Sequence, residues 1–363
     1  MSPEQNILIV RLGAMGDVIH SLPVAAALRQ AYPAAHIGWA IEERWAELLG
    51  PRSEWGSVSG STAKKPLVDS IHIVKMKSWL AAPFSREGWR ERRRVKAEMR
   101  AQGYETAVEI QGALKSVWVA RASNAPKRVG FSTPREPLAK HFYNQRIPMR
   151  GTHVVEQGVN LVQELSGRND LATVFRLPCD PEAEAWRDAE LKRRGIAGYI
   201  VMTPGAGWGA KRWPSDRYGE VARELGNWGL QTIVNAGPGE EHLAHQVVET
   251  SGGAAQRLAC SVGQLIALAR KARLFVGGDT GPLHLAAALG VNVVGIYGPT
   301  DPARNGPYGS KAIVLRDPES KTSHARHADP EVGLLKITAQ DAWDAAKSML
   351  REPASDAAGE GSR

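Results

Sequence analysis

Both halves of this chain contain a short apolar run that ends in a glycine-containing turn and opens directly into a helix. No other feature restricts the fold as strongly. The first instance reads ILIVRLGAMGDVIHSLP at 7–23, and the second half contributes TPGAGWGAKRWP at 203–214 and VGGDTGPLHLAAALG at 276–290. A short apolar run bounded by turn residues reads as a buried strand, and apolar residues recurring every three to four positions read as a helix. On those criteria strands are expected at 6–11, 36–41, 70–74 and 104–110, and helices at 17–32, 86–102 and 114–121. After the turn-rich PCDP at 178–181 the alternation resumes. Strands are expected at 199–203, 231–236, 274–276 and 291–297, and helices at 182–194, 216–227, 240–251, 261–272, 282–289 and 335–350. Alternation of this kind builds parallel sheets covered by helices on both faces. The expected fold class is therefore α/β, with two similar domains facing each other across a cleft. The expected ranges are 1–177, 178–335, a C-terminal helix within 336–352, and a disordered polar tail at 353–363.

Composition narrows the function. The chain has 363 residues and only two cysteines, Cys179 and Cys260, neither in a CxxC pair. That excludes a disulfide framework and a cysteine-built zinc site. No run of about 18 apolar residues is available to span a bilayer. The start, MSPEQNILIV, has neither the basic region nor the long apolar stretch of a secretory signal. A cytoplasmic protein is expected. Its net charge of +8 is carried by residues 1–165, with 23 basic and 15 acidic side chains, while the remainder balances. Residues 64–100 alone hold 11 basic and 4 acidic side chains. Such asymmetry points to an anionic partner of the N-terminal half: nucleic acid, phosphorylated lipid or an acidic substrate.

Three turns carry candidate chemistry. In GAMGDVIH at 13–20, glycines allow close approach to the backbone, and Asp17 stands where a helix opens at the carboxyl edge of a sheet, the place where open α/β sheets bind ligands. A carboxylate there suits a general base and equally a helix cap. In TPGAGWGAKRWP, three glycines followed by Lys211 and Arg212 suggest a phosphate cradle with its cations. It is not a GxxxxGK[ST] loop, since no Ser or Thr follows the lysine. In VGGDTGPLH, Thr280 and Gly281 offer N–H groups at a helix N-terminus, Asp279 can meet sugar hydroxyls, and His284 lies one turn into the helix. Asp279 and His284 equally suit a helix cap and an internally satisfied histidine. The remaining histidines have no metal-ligand spacing, and the first turn lacks the GxGxxG of nucleotide-dependent dehydrogenases and epimerases.

These segments, with YETAVEIQGALKS at 104–116, TPREPLAKHFYNQR at 133–146 and VVGIYGPTDP at 293–302, resemble glycosyltransferase family 9 over roughly residues 6–350. The resemblance implies the GT-B architecture, two Rossmann-like domains with the active site between them. It implies an inverting transfer of heptose from ADP-heptose to Kdo-lipid A, the lipid A anchor carrying 3-deoxy-octulosonic acid, at the cytoplasmic face of the inner membrane. Its catalytic aspartate falls on Asp17 and its leaving-group lysine on Lys211. Donor contacts fall on Thr203, Lys211, Glu240, Asp279, Thr280, Gly281 and His284. Acceptor contacts fall on Gly13, Met15, Gly16, Gln111 and Arg135, joined by Lys75 and Lys77 from the basic segment. Where family members that act on Kdo carry an arginine cluster after the third strand, this chain reads KMKSW at 75–79. PGAGWGAKRWP also looks like the members that add the second heptose, so transfer to another core sugar is the alternative. No metal and no other cofactor are expected, the anionic membrane surface is the expected second partner, and a monomer is expected. A non-catalytic protein that binds nucleic acid through residues 64–100 is the distant rival, recognisable by salt-sensitive binding without turnover.

Overall fold

The computed structural model describes residues 6–52, 55, 67–323 and 327–351. Lys64 and Lys65 of the basic segment and the tail at 353–363 lie outside the described residues. The chain divides into two compact units between Pro178 and Cys179.

The N-terminal unit is a six-stranded parallel sheet in the order β3-β2-β1-β4-β5-β6. Its elements in sequence are β1 (Asn6–Val10), α1 (Met15–Ala31), β2 (His36–Glu42), β3 (Ser70–Val74), α2 (Met76–Ala81), α3 (Arg86–Ala101), β4 (Thr106–Glu109), α4 (Leu114–Ala122), β5 (Lys127–Phe131), β6 (Gln145–Ile147) and α5 (Val154–Ser166). β1 is central and buried from Ile7 onward, so both faces of the strand need apolar side chains, and ILIV supplies them. Leu8, Val10, Val95, Met99, Ala107 and Val119 form one layer of core beneath α3 and α4. α1 and α5 pack on each other.

The C-terminal unit repeats the plan with the order β12-β11-β10-β7-β8-β9. Its elements are α6 (Pro181–Arg193), β7 (Tyr199–Thr203), α7 (Ser215–Asn227), β8 (Gln231–Val234), α8 (Glu241–Thr250), β9 (Ala255–Arg257), α9 (Val262–Arg270), β10 (Phe275–Gly278), α10 (Gly281–Ala288), β11 (Val293–Tyr297), α11 (Pro302–Asn305), β12 (Ala312–Arg316), α12 (Val332–Lys336) and α13 (Ala339–Arg351). Asp180 caps α6 by accepting the Glu182 N–H at 2.9 Å, with Pro181 in the first turn. The helix expected at 216–227 starts one residue earlier, at Ser215, and a 3₁₀ turn at Gly209–Lys211 precedes it. The single helix expected at 335–350 is two, because Ile337 is extended between α12 and α13.

Strand order locates the sites. In the N-terminal sheet the chain moves outward from β1 to β3 and then returns to β4. In the C-terminal sheet it moves from β7 to β9 and returns to β10. At such a reversal the loops leaving two adjacent strands diverge to opposite faces and open a crevice at the carboxyl ends. The register pairs Val10 with Glu109 and Gly277 with Thr203. Each pair therefore marks the floor of a crevice, one in each unit.

Candidate active site

In the N-terminal unit the crevice lies between the loops after β1 and β4. Met15, Gly16 and Asp17 form the first turn of α1. Asp17 Oδ2 accepts the Ala14 N–H at 3.0 Å, and its Oδ1 meets the Arg11 guanidinium at 2.7 Å. The capping role left open by sequence is thus realised. The side chain nevertheless stays 42% exposed, and a carboxylate has about four lone-pair sites, so capacity remains for a further proton. Arg11 also donates to the Ile110 carbonyl at 2.7 Å, tying the two crevice loops together. Gln111 completes the tie by accepting the Leu12 N–H at 3.0 Å. Gly13 is required by packing, since a Cβ there would lie 2.8 Å from the Trp45 indole nitrogen. Met15 is buried.

Beneath Gln111 sits Glu109, which the sequence did not single out. It is almost wholly buried and accepts the Gln111 N–H at 2.8 Å, the Gly112 N–H at 3.0 Å and the Tyr143 hydroxyl. Burial pushes its carboxyl above the ordinary range, while those hydrogen bonds pull in the opposite direction. Gly112 has φ +66°, and a Cβ there would crowd the Arg135 backbone nitrogen. Exposed Arg135 is consequently held beside the same turn, which the Glu136 N–H to Gly112 carbonyl bond (2.8 Å) reinforces. Lys75 and Lys77 follow the edge strand β3. Lys75 pairs with Glu91 at 2.9 Å, and Lys77 is exposed within α2, a helix the sequence reading did not anticipate.

In the C-terminal unit, Lys211, Asp279 and His284 converge. One carboxylate oxygen of Asp279 accepts from His284 Nε2 at 2.9 Å, and the other is paired with the Lys211 ammonium. All three side chains are nearly buried. Burial alone would raise the Asp279 carboxyl; the hydrogen bond from His284 and the charges of His284 and Lys211 overcome it and hold the group far below the usual carboxylate range. Each oxygen of Asp279 thus engages one neighbour, and the carboxylate joins Lys211 to His284. The Lys211 ammonium also lies over the Trp208 ring at 4.3 Å. Thr203 and Thr280 bring buried hydroxyls that have no hydrogen-bond partner among the described residues, and Gly281 opens α10. Glu240 accepts the Ala206 N–H at 3.0 Å and meets Arg212 at 3.2 Å. It therefore braces the glycine-rich loop. A Cβ on Gly205 would collide with its carboxylate.

A second brace comes from residues 327–331, where the sequence carried no signal. The Ala210 N–H donates to the His327 carbonyl and the Glu331 N–H to the Ala210 carbonyl, both at 3.1 Å. This strap lies so close that a Cβ on Gly209 would overlap the Ala328 carbonyl. Among the described residues no three His, Cys, Asp or Glu side chains are grouped to hold a metal ion.

The family model of glycosyltransferase family 9 (heptosyltransferase) matches residues 92–334. Lipopolysaccharide heptosyltransferase 1 of Pseudomonas aeruginosa is 29% identical over 320 residues, covering 85% of this chain and 83% of that protein. The Escherichia coli K12 protein of the same name is 28% identical, covering 86% of this chain and 94% of its own length. Among solved structures, a family 9 glycosyl transferase from Veillonella parvula aligns with a TM-score of 0.80 at 23% identity, covering 96% of this chain and 98% of that one. E. coli heptosyltransferase WaaC with ADP aligns with a TM-score of 0.73 at 25% identity, covering 95% and 100%.

Proposed function

The chain belongs to glycosyltransferase family 9, and from that premise we propose that it transfers heptose from ADP-heptose to Kdo-lipid A in the building of the lipopolysaccharide inner core. The observation that carries the reading is the pairing of two unlike sites on one scaffold. An oriented, half-open carboxylate stands at the strand reversal of one sheet, and a buried lysine, aspartate and histidine stand at the reversal of the other. Heptosyltransferase names among relatives that cover most of the chain support the sugar. The structure of WaaC with ADP supports the donor nucleotide.

In this reading the N-terminal unit takes the acceptor and the C-terminal unit the donor. Asp17 accepts the proton of a Kdo hydroxyl as its oxygen attacks the anomeric carbon from the face opposite the diphosphate. The new bond forms with inversion, and ADP departs carrying the bonding pair. Arg11 and the Ala14 N–H keep the carboxylate aimed. Gly13, Met15, Gly16, Gln111 and Arg135 line the acceptor side, and Lys75 and Lys77 attract its phosphate and carboxylate groups. Negative charge grows on the leaving diphosphate, and a fixed cation and helix N–H groups placed there beforehand stabilise it more in the transition state than in the ground state. Lys211, Thr280 and Gly281 supply these. Asp279 and His284 position the lysine, and Thr203 and Glu240 complete the donor pocket. The second partner is the anionic inner face of the membrane that holds the acceptor.

The test is turnover of the purified protein with a panel of nucleotide sugars and with Kdo-lipid A or a heptosylated core as acceptor. ADP release and a product one heptose heavier are expected with ADP-heptose and Kdo-lipid A, and they persist in chelator. Transfer only to the heptosylated core would move the protein to a later step. No transfer from any donor would overturn the reading.

A further inference from the structure

The turn joining α2 to α3, with the helix ends that flank it, carries three large apolar side chains that the fold leaves in water. Leu80 is 65% exposed, Phe84 93% and Trp89 57%. They fall within ten residues, in a stretch otherwise made of small, turn-forming or charged residues. Among the described residues α3 buries Gly88, Val95 and Met99, and most of the rest of its surface faces solvent. On that surface Trp89, Arg93, Lys96 and Arg100 follow one another at helical spacing, and Arg86, Arg90 and Arg94 form the adjacent row; all seven are exposed. The apolar tip therefore leads and a belt of cations follows.

The tip is held firmly. Ser85 caps α3 by accepting the Gly88 N–H at 3.1 Å. The Arg92 guanidinium bonds the Pro83 carbonyl and, at 3.0 Å, the Gly88 carbonyl. The Lys75 ammonium and the Trp79 indole both donate to Glu91, at 2.9 and 3.3 Å. Phe84 is thus presented by a braced turn, and burying it elsewhere costs little additional ordering.

We propose that this turn is a membrane wedge: Leu80, Phe84 and Trp89 enter the acyl boundary of an anionic bilayer, and the cations of α3 bind the headgroups behind them. Charge complementarity selects the occupant. A belt of six exposed cations against two exposed acids, Glu87 and Glu98, the latter paired to Arg94 at 3.3 Å, lies behind protruding apolar side chains and matches an interface that is anionic outside and apolar just beneath, and tryptophan favours that boundary. A nucleic acid would engage the arginines and the aromatic rings but offers nothing to Leu80. The inference deepens the reading of a lipid-borne acceptor and rests on it, but its test uses bilayers that contain no acceptor.

Full-length protein is mixed with acceptor-free vesicles of phosphatidylethanolamine and phosphatidylglycerol, or of phosphatidylcholine alone, and the bound fraction is measured by sedimentation at several salt concentrations. Wild type is expected to prefer anionic vesicles. Leu80→Ser with Phe84→Ser should weaken that binding about tenfold or more while the salt dependence remains. Arg90→Glu with Arg93→Glu should abolish the preference for anionic lipid. Equal binding by wild type and the double serine variant would reduce the surface to ordinary charge adsorption and overturn the wedge. Tighter binding to duplex DNA or RNA than to anionic vesicles would overturn it in favour of a nucleic-acid surface. A parallel assay with detergent-dispersed Kdo-lipid A separates the two readings. Turnover by wild type without vesicle binding defeats the wedge alone, and vesicle binding without any transfer defeats the proposed reaction alone.

Discussion

Asp17 is where two residue-level roles compete. Its carboxylate caps α1 through the Ala14 N–H and is oriented by Arg11, so its presence at a helix start is explained without catalysis. Asparagine separates the roles, because its amide oxygen still caps a helix while the side chain no longer takes a proton. Asp17→Asn is expected to lower kcat by about 10²–10⁴, with a melting temperature lowered only slightly by loss of the part-exposed Arg11 ion pair and an unchanged ADP-heptose affinity. Near-normal turnover by a folded Asp17→Asn protein would leave only the cap. Asp17 was legible because an acid after a strand and a glycine turn has few local uses. Arg11 and Glu109 were not, although an arginine directly after ILIV and a glutamate inside a strand were visible irregularities. Their partners, Ile110 for the first and Tyr143 for the second, are 99 and 34 residues away, and one chain read alone does not announce such pairs.

Elements with a clear apolar run or a clear helical spacing could be read almost to the residue. β3 and β7 occupy the spans their sequences indicate, and α3 and α7 differ from expectation by one residue at one end. The strands that escaped notice, β5, β6, β9 and β12, lie at or toward the margins of their sheets. There one face or edge meets water, and the sequence mixes charge into the strand, as in KRVGF, QRI and AQR. α5 escaped through an atypical start, a histidine cap at His153. The strap at 327–331 was illegible for another reason, because it acts through main-chain bonds to Ala210 and any residues could make them. Its mark on the sequence is Gly209. Gly209→Ala is expected to push the strap and the 3₁₀ turn apart and displace Lys211. The protein should stay folded, with the KM for ADP-heptose raised and kcat lowered, each about tenfold, since a small misplacement of a charge at the reacting centre is costly. Steady-state kinetics with both substrates varied check this, and an unchanged KM for the donor would show that the strap does not set the position of the lysine.

At the scale of the whole molecule, the two units respond differently to acid, and this follows from which groups each one buries. In the N-terminal unit His72 is buried in β3 and hydrogen-bonded to Tyr104 at 2.7 Å. Burial, aided by His36, lowers its pKa from 6.5 to about 4. The unfolded chain therefore binds this proton and the folded unit does not over the interval between those values. The contribution is fully present above about pH 6.5 and is lost as pH falls toward 4, at most about 3 kcal/mol. Glu109 acts in the opposite sense, because its raised carboxyl is relieved by protonation, so the pH profile of the unit as a whole mixes the two. The C-terminal unit holds Asp279, whose depressed carboxyl keeps its contribution throughout this interval and loses it only below the ordinary carboxylate range. His72→Gln isolates the histidine, since every other titration cancels in the difference from wild type. Hydrogen exchange followed by mass spectrometry, corrected for intrinsic rates, reads each unit separately between pH 7.5 and 4.5. The stability of the N-terminal unit in wild type, relative to His72→Gln, is expected to fall by roughly 2–3 kcal/mol across that range, while peptides of the C-terminal unit show no difference between the proteins at any pH. A constant offset between the two proteins, independent of pH, would mean that His72 is not held neutral by the fold.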